Sequence, residues 1–339
     1  MQCLIARCAR CARCDVRWVA AVFVGADETG KALFRHLLLQ IGGANIAAPF
    51  YGLLAQSRFG IRRRRRRSQR KNASARFSSV RRRAIPDARS RTLSRMPDLE
   101  PVDESWSTAL CVVAHPDDLE FGTAAAVARW TDQGKTVAYA MVSSGEAGID
   151  GMDPAEARSV REAEQVESAR IVGVDTVDFL GLADGVLEYG VGLRRAICAA
   201  VRRHQPEIVI TNNFRHTWGG QNLNQADHIA TGRATLDAVR DAANRWVFHE
   251  QIAEGLERWD GVREVWAAFS PEGRHAVETT ETFERGVASL AAHKAYIDGL
   301  GWDFFDPAEF LESGARQAGT RFGVPMAATF EVFSMGWGS

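Results

Sequence analysis

Short apolar runs recur between residues 108 and 269 and alternate with longer stretches in which apolar and polar positions mix. The runs at 109–114, 136–143, 176–180, 207–212 and 262–269 are rich in Val, Ile, Ala and aromatic residues and predict strands. Between them, about 120–133, 154–172, 192–204 and 225–245 carry helical spacing. Pro154 suits a first helical turn, and Gly134 and Gly173 suit helix stops. Regular alternation with near-continuous apolar strands predicts an α/β fold, a Rossmann-like, mostly parallel sheet flanked by helices on both faces. Residues 279–320 read as helical and 327–333 as a closing strand.

The first 95 residues break this pattern. They hold 22 Lys+Arg against 4 Asp+Glu, the remainder 20 against 38, so the formal net charge of zero is a cancellation of +18 and −18. Six consecutive arginines at 62–67 and three more at 81–83 predict a basic, disordered extension over 1–95 ahead of a domain over 96–339. Such a run would also hold an anionic polymer or surface by counterion release. Met96, just before the composition flips, fits an over-extended reading frame equally well. Cys3, Cys8, Cys11 and Cys14 crowd this extension, but arginines lie among them and no framing motif follows, which favours a stretch without metal. Cys111 and Cys198 read as small buried hydrophobes, in keeping with a reducing cytoplasm. No run reaches the ~18 apolar residues of a membrane span. Nucleic acid is not an expected partner of the folded domain, and oligomeric state has no signature in the sequence.

The chemistry starts where the first predicted strand ends, at His115, Pro116, Asp117 and Asp118. In open α/β sheets ligands bind beyond the carboxyl ends of the strands. One imidazole and two carboxylates at such a tip favour a cation, although either aspartate could instead cap the next helix. A catalytic zinc takes three protein ligands and leaves a position for water. His228, at the start of the helix after the fourth strand, is the third candidate beside His115 and Asp118. The turn carries no Gly-rich phosphate loop, which argues against dinucleotide binding.

In order along the chain stand Ala-His-Pro-Asp-Asp at 114–118, Ser-Gly-Glu-Ala-Gly at 144–148, Arg-Glu-Ala-Glu at 161–164 leading into Val-Gly-Val at 172–174, Leu-Gly-Leu-Ala-Asp-Gly at 180–185, and Asp227-His228 shortly before Ala-Thr-Gly. Over roughly 108–301 this set resembles the LmbE-like, or PIG-L, zinc deacetylases. The resemblance implies hydrolysis of the N-acetyl group of an N-acetylglucosamine-type glycoside or related small amide. It implies one Zn2+, with Fe2+ an alternative, on His115, Asp118 and His228, and Asp117 as general base. Many family members carry a histidine where this chain has Gln225, which can donate a hydrogen bond to an oxyanion but cannot supply a proton. His216, in the preceding loop, is either a stand-in or ordinary surface. Asp227 is either an acceptor for a ligand imidazole or a helix cap. Glu146, Arg161 and Asp184 match polar family positions near substrate, with salt bridges as the plain alternative. His293 resembles a late family histidine facing the pocket, or is a buried helical histidine, and Trp218 either stacks on a sugar or packs. The rival readings are a single-metal phosphoesterase and a non-catalytic sugar-binding relative, the latter because of Gln225.

Overall fold

The computed structural model describes residues 2–7, 19–26, 32–41, 44–48, 99–302 and 304–336. The chain divides into two units, 1–85 and 86–339. In the first, β1 (Gln2–Arg7), β2 (Val19–Ala26), β3 (Ala32–Ile41) and β4 (Ala44–Ala48) pair antiparallel in that order. Apolar runs such as that of β2 give these segments strand character within a basic stretch. The arginines at 62–67 and 81–83, Cys8, Cys11 and Cys14, and the expected boundary at 95/96 lie outside the described residues.

The second unit holds the five predicted strands, β6 (Thr108–Val113), β7 (Thr136–Met141), β8 (Thr176–Phe179), β9 (Ile208–Asn212) and β10 (Glu264–Ala268). They pair in parallel in the order β8-β7-β6-β9-β10, with Cys111 of β6 beside Tyr139 and Ile210. The closing strand β12 (Ala327–Ser334) runs antiparallel beside β10. Beyond it lie two strands with no sequence expectation, β11 (His275–Glu278) and β5 (Glu100–Pro101). The sheet is thus mostly parallel, as the alternation predicts.

Burial of both sheet faces explains the unbroken apolar strands. On β6, Ala109, Cys111 and Val113 pack with α1 (Ala124–Asp132) and the end of α2 (Pro154–Ile171), while Leu110 and Val112 pack with α3 (Val191–His204) and α4 (Ala226–Ala242). On the first face Trp106, Trp130 and Trp266 form an aromatic cluster, with ring centroids 5.4, 5.6 and 6.1 Å apart. Removing one such ring costs about 3–5 kcal/mol. A short α5 (His249–Ala253) follows α4, and the predicted C-terminal helical region resolves into α6 (Phe283–Ala291), α7 (Lys294–Gly299) and α8 (Pro307–Phe322). Asp306 caps α8 through the Ala308 amide.

Two features place the site. The chain passes from β6 to β7 and β8 on one side of the sheet and to β9 and β10 on the other, so a crevice opens beyond the carboxyl ends of β6 and β9. Secondly, α1 starts at Ala124 rather than near Glu120, because Asp117 (φ 87°) and Gly122 (φ 144°) take backbone angles that no right-handed helix accepts. Among the described residues, no helix is long and apolar enough to cross a membrane.

A candidate metal centre at the strand-order reversal

β6 ends at Val113 and hands the chain to a tight turn that displays His115, Asp117 and Asp118. The turn is closed by Glu120 N–H donating to Asp117 O at 2.9 Å and Thr123 N–H to Leu119 O at 2.7 Å. A left-handed, non-glycine residue costs of order 1–3 kcal/mol, so Asp117 must be held. α2 holds it: Gln165 Oε1 accepts the Asp117 amide at 2.9 Å, and the Arg161 guanidinium donates to Asp117 Oδ1. Neither aspartate caps α1, whose N-cap position is Thr123.

Three side chains converge beside this turn. His228 Nε2 lies 2.9 Å from Asp118 Oδ1 and His115 Nδ1 lies 3.7 Å from Asp118 Oδ2, and one donor atom from each of the three sits within 4.8 Å of the others. The remaining ring nitrogens are engaged elsewhere. His228 Nδ1 is 2.9 Å from Asn224 Oδ1, and the Asn224 amide donates to Asn213 O at 2.7 Å and Arg215 O at 3.0 Å, which turns its oxygen toward the imidazole. His115 Nε2 is 3.0 Å from Asp184 Oδ1 and 3.4 Å from Asp227 Oδ2. With those nitrogens on fixed acceptors, His228 Nε2 and His115 Nδ1 are the ring atoms left facing Asp118, and a cation would take them by displacing the protons they direct at that carboxylate. Two imidazoles and a carboxylate that share a face with an open cavity fit a zinc-type centre with a free fourth position.

The charges follow from this packing. Burial opposes ionisation of Asp118, but the two imidazoles hold its carboxyl well below the usual range. Burial raises Asp117 to about 6, against the pull of Arg161 and with the added push of Asp118. Two adjacent aspartates are thereby driven apart, one firmly anionic and one near neutrality.

The other sequence-picked residues occupy different places. Asp227 accepts Gly185 N–H at 2.8 Å and Leu187 N–H at 3.1 Å as well as facing His115, and Gln225, the N-cap of α4, makes no side-chain cap bond. Asp184 borders the cavity and accepts the Ala147 amide at 2.8 Å. Arg161 is 2% exposed and donates to Pro116 O at 2.6 Å and Gly145 O at 2.8 Å besides Asp117, while stacking on Tyr296 at 4.1 Å. A Cβ at Gly145 would lie 2.2 Å from that guanidinium, so the turn after β7 needs its glycine. Glu146 pairs with Arg158 at 3.0 Å away from the cavity wall. His293 is fully buried, its Nε2 3.8 Å from Glu120 Oε2, and does not reach the cavity. His216 is exposed and outside the cavity lining, whereas Gln225 and Trp218 line it and Trp218 meets the His228 ring edge-on at 5.6 Å. Asn224 and Gln165 escaped the sequence reading. The spacing of Asn224 four residues before His228 at a helix start was the signal available for the first; nothing local marks the second.

Residues 110–239 match the family profile described as PIG-L, GlcNAc-PI de-N-acetylase. The matched segment contains both imidazoles, both aspartates and every acceptor that orients them. Diacetylchitobiose deacetylase of Thermococcus kodakarensis is 24% identical over 200 residues, covering 58% of this chain and 73% of its own. Among solved structures, N,N'-diacetylchitobiose deacetylase from Pyrococcus horikoshii superposes with a TM-score of 0.61 at 21% identity, covering 68% of this chain and 85% of that one. A 4-carboxy-2-hydroxymuconate hydratase from Pseudomonas putida superposes with a TM-score of 0.56 at 18% identity, over 69% and 98% of the two chains. The fold is thus shared by proteins whose named activities differ, and function must be argued from the site.

Proposed function

We propose that the chain is a metal-dependent deacetylase acting on the N-acetyl group of an acylated amino sugar or related small amide. The observation that carries this reading is the pairing of a converging His115, Asp118 and His228 set with the strained, buried Asp117 beside it. The deacetylases among the relatives agree with it. Zn2+ suits the donor set, and Fe2+ is the alternative.

Held by those three residues, a divalent cation would supply Lewis acidity and an acidified water. The protein's own part is proton handling and orientation. Asp117, with one oxygen fixed by Arg161, takes a proton from the attacking water; burial raises its carboxyl toward the basicity that task needs. When the C–N bond breaks, the amine leaves with a proton. Gln225 cannot give it, so Asp117 returns the one it accepted. The Gln225 amide, on the cavity wall, donates to the carbonyl oxygen as charge develops there. Asp184 and Asp227 keep the His115 ring aimed, Asn224 does the same for His228, and Trp218 offers an aromatic face beside the metal residues.

The test is amine release from N-acetylglucosaminides by zinc-loaded protein, with and without chelator. Asp117→Asn lowers turnover by about 10²–10⁴-fold while bound zinc stays at the wild-type level. A near-normal rate in that variant removes the base assignment. A generic phosphate ester run in parallel addresses the phosphoesterase reading, and sugar binding without amine release would point to a non-catalytic relative.

A further inference from the structure

The cavity that holds the metal residues continues well past them. Its volume, about 1390 Å³, exceeds the ~300–1,000 Å³ that encloses a drug-sized ligand. Away from the imidazoles its wall is made by Phe121, Phe269, Phe283, Trp302, Phe310 and Leu311. These come from the turn after β6, the end of β10, α6, the segment after α7, and α8. Phe310 is 48% and Trp302 53% exposed, on the same cavity. Phe310 meets Phe121 edge-on at 5.4 Å and is joined to Trp302 through Phe305, at 5.6 and 5.3 Å. Large aromatics left half-open in a contiguous patch mark a binding surface.

Phe269 strengthens the case. It has a left-handed φ of 56°, a strained conformation for a bulky side chain. Its ring fills the space over Gly122, where an added Cβ would stand 2.0 Å from the ring. The strain holds an aromatic face on the cavity wall beside the turn that displays Asp117 and Asp118. Among the described residues, the charged groups lining this end are Glu309, which is exposed, Arg321, and Glu120 next to Phe121.

We propose that this end is a subsite for an uncharged apolar group carried by the amide substrate, which makes the substrate an amphiphilic acylamino compound rather than a free amino sugar. The proposal rests on the deacetylase reading above. The apolar group has two possible sources, an aglycone or a long N-acyl chain, with the same chemistry of recognition.

Calorimetry on the full chain in chelator reads binding without turnover. The probes are methyl N-acetyl-β-glucosaminide, octyl N-acetyl-β-glucosaminide below its micelle concentration, and methyl 2-octanoylamino-2-deoxy-β-glucoside. At least one octyl compound binds about tenfold or more tighter than the methyl compound, with a negative heat-capacity change; which one does so names the source. Phe310→Asp and, separately, Trp302→Asp narrow that ratio to about threefold or less, the positions being exposed enough for the charge to be tolerated. Equal affinity of all three probes overturns the proposal, as does a preference unmoved in both variants. Amine release is read separately. A binding preference without hydrolysis removes the deacetylase reading and leaves the subsite; hydrolysis without preference does the reverse.

Discussion

The two ends of the cavity are built on opposite principles. At the polar end each nitrogen that faces Asp118 belongs to a ring whose other nitrogen has a fixed acceptor, and those acceptors are anchored by backbone groups: Asn224 by Asn213 and Arg215, Asp227 by Gly185 and Leu187, Asp184 by Ala147. At the apolar end the rings of Phe121, Phe305, Phe310 and Trp302 meet one another, and Phe121 and Phe305 pack against Phe283, Leu290 and Leu311, without directional bonds; two of the four rings stand half in solvent. Directional bonds fix geometry to a fraction of an ångström, which proton transfer needs; ring contacts tolerate sliding, which suits recognition of an apolar group. The polar end lies inside the segment that matches the family, whereas Phe269, Phe283, Trp302, Phe310 and Leu311 lie outside it. On the proposed function, reaction chemistry lies within the matched segment, while all of the apolar wall except Phe121 lies beyond it.

Breaking the anchoring at the polar end gives the larger effect. Asn224→Ala frees the His228 ring to rotate and to change tautomer, and metal affinity falls about 10–100-fold by competition with a chromophoric chelator, with the fold intact by circular dichroism. An unchanged affinity would mean that the Asn224 contact is incidental. At the junction of the two ends the effect falls on stability rather than on metal affinity. Gly122→Ala places a methyl group against the Phe269 ring at a φ of 144°. The expected loss is about 1–3 kcal/mol in chemical denaturation. A neutral result would show that Phe269 moves freely, and so would weaken the role given to its strain.

Legibility in the sequence followed the same division. β6 to β10 and α1 to α4 were readable because both sheet faces are buried and the apolar periodicity is local. His115, Asp117, Asp118 and His228 could be singled out because reactive residue types cluster at the ends of those elements, and the structure brings them together. β11 was not, since only Ala276 and Val277 in it are fully buried, too short a run to register. Arg161 and Glu146 could be named but not placed, because spacing along a helix does not say where a guanidinium ends. In the structure Arg161 bridges the turns after β6 and β7, and Glu146 meets Arg158. The aromatic wall had no sequence signature at all. It is assembled from five separated segments, and each phenylalanine in isolation looks like ordinary core.

The central claim is that His115, Asp118 and His228 together hold one metal ion. Zinc titration of the chelator-stripped full chain, followed by elemental analysis, tests it against the His228→Ala variant. The account predicts one tightly bound zinc per wild-type chain and less than about a tenth of that in the variant at equal free zinc. Wild-type stoichiometry and affinity in His228→Ala would contradict it.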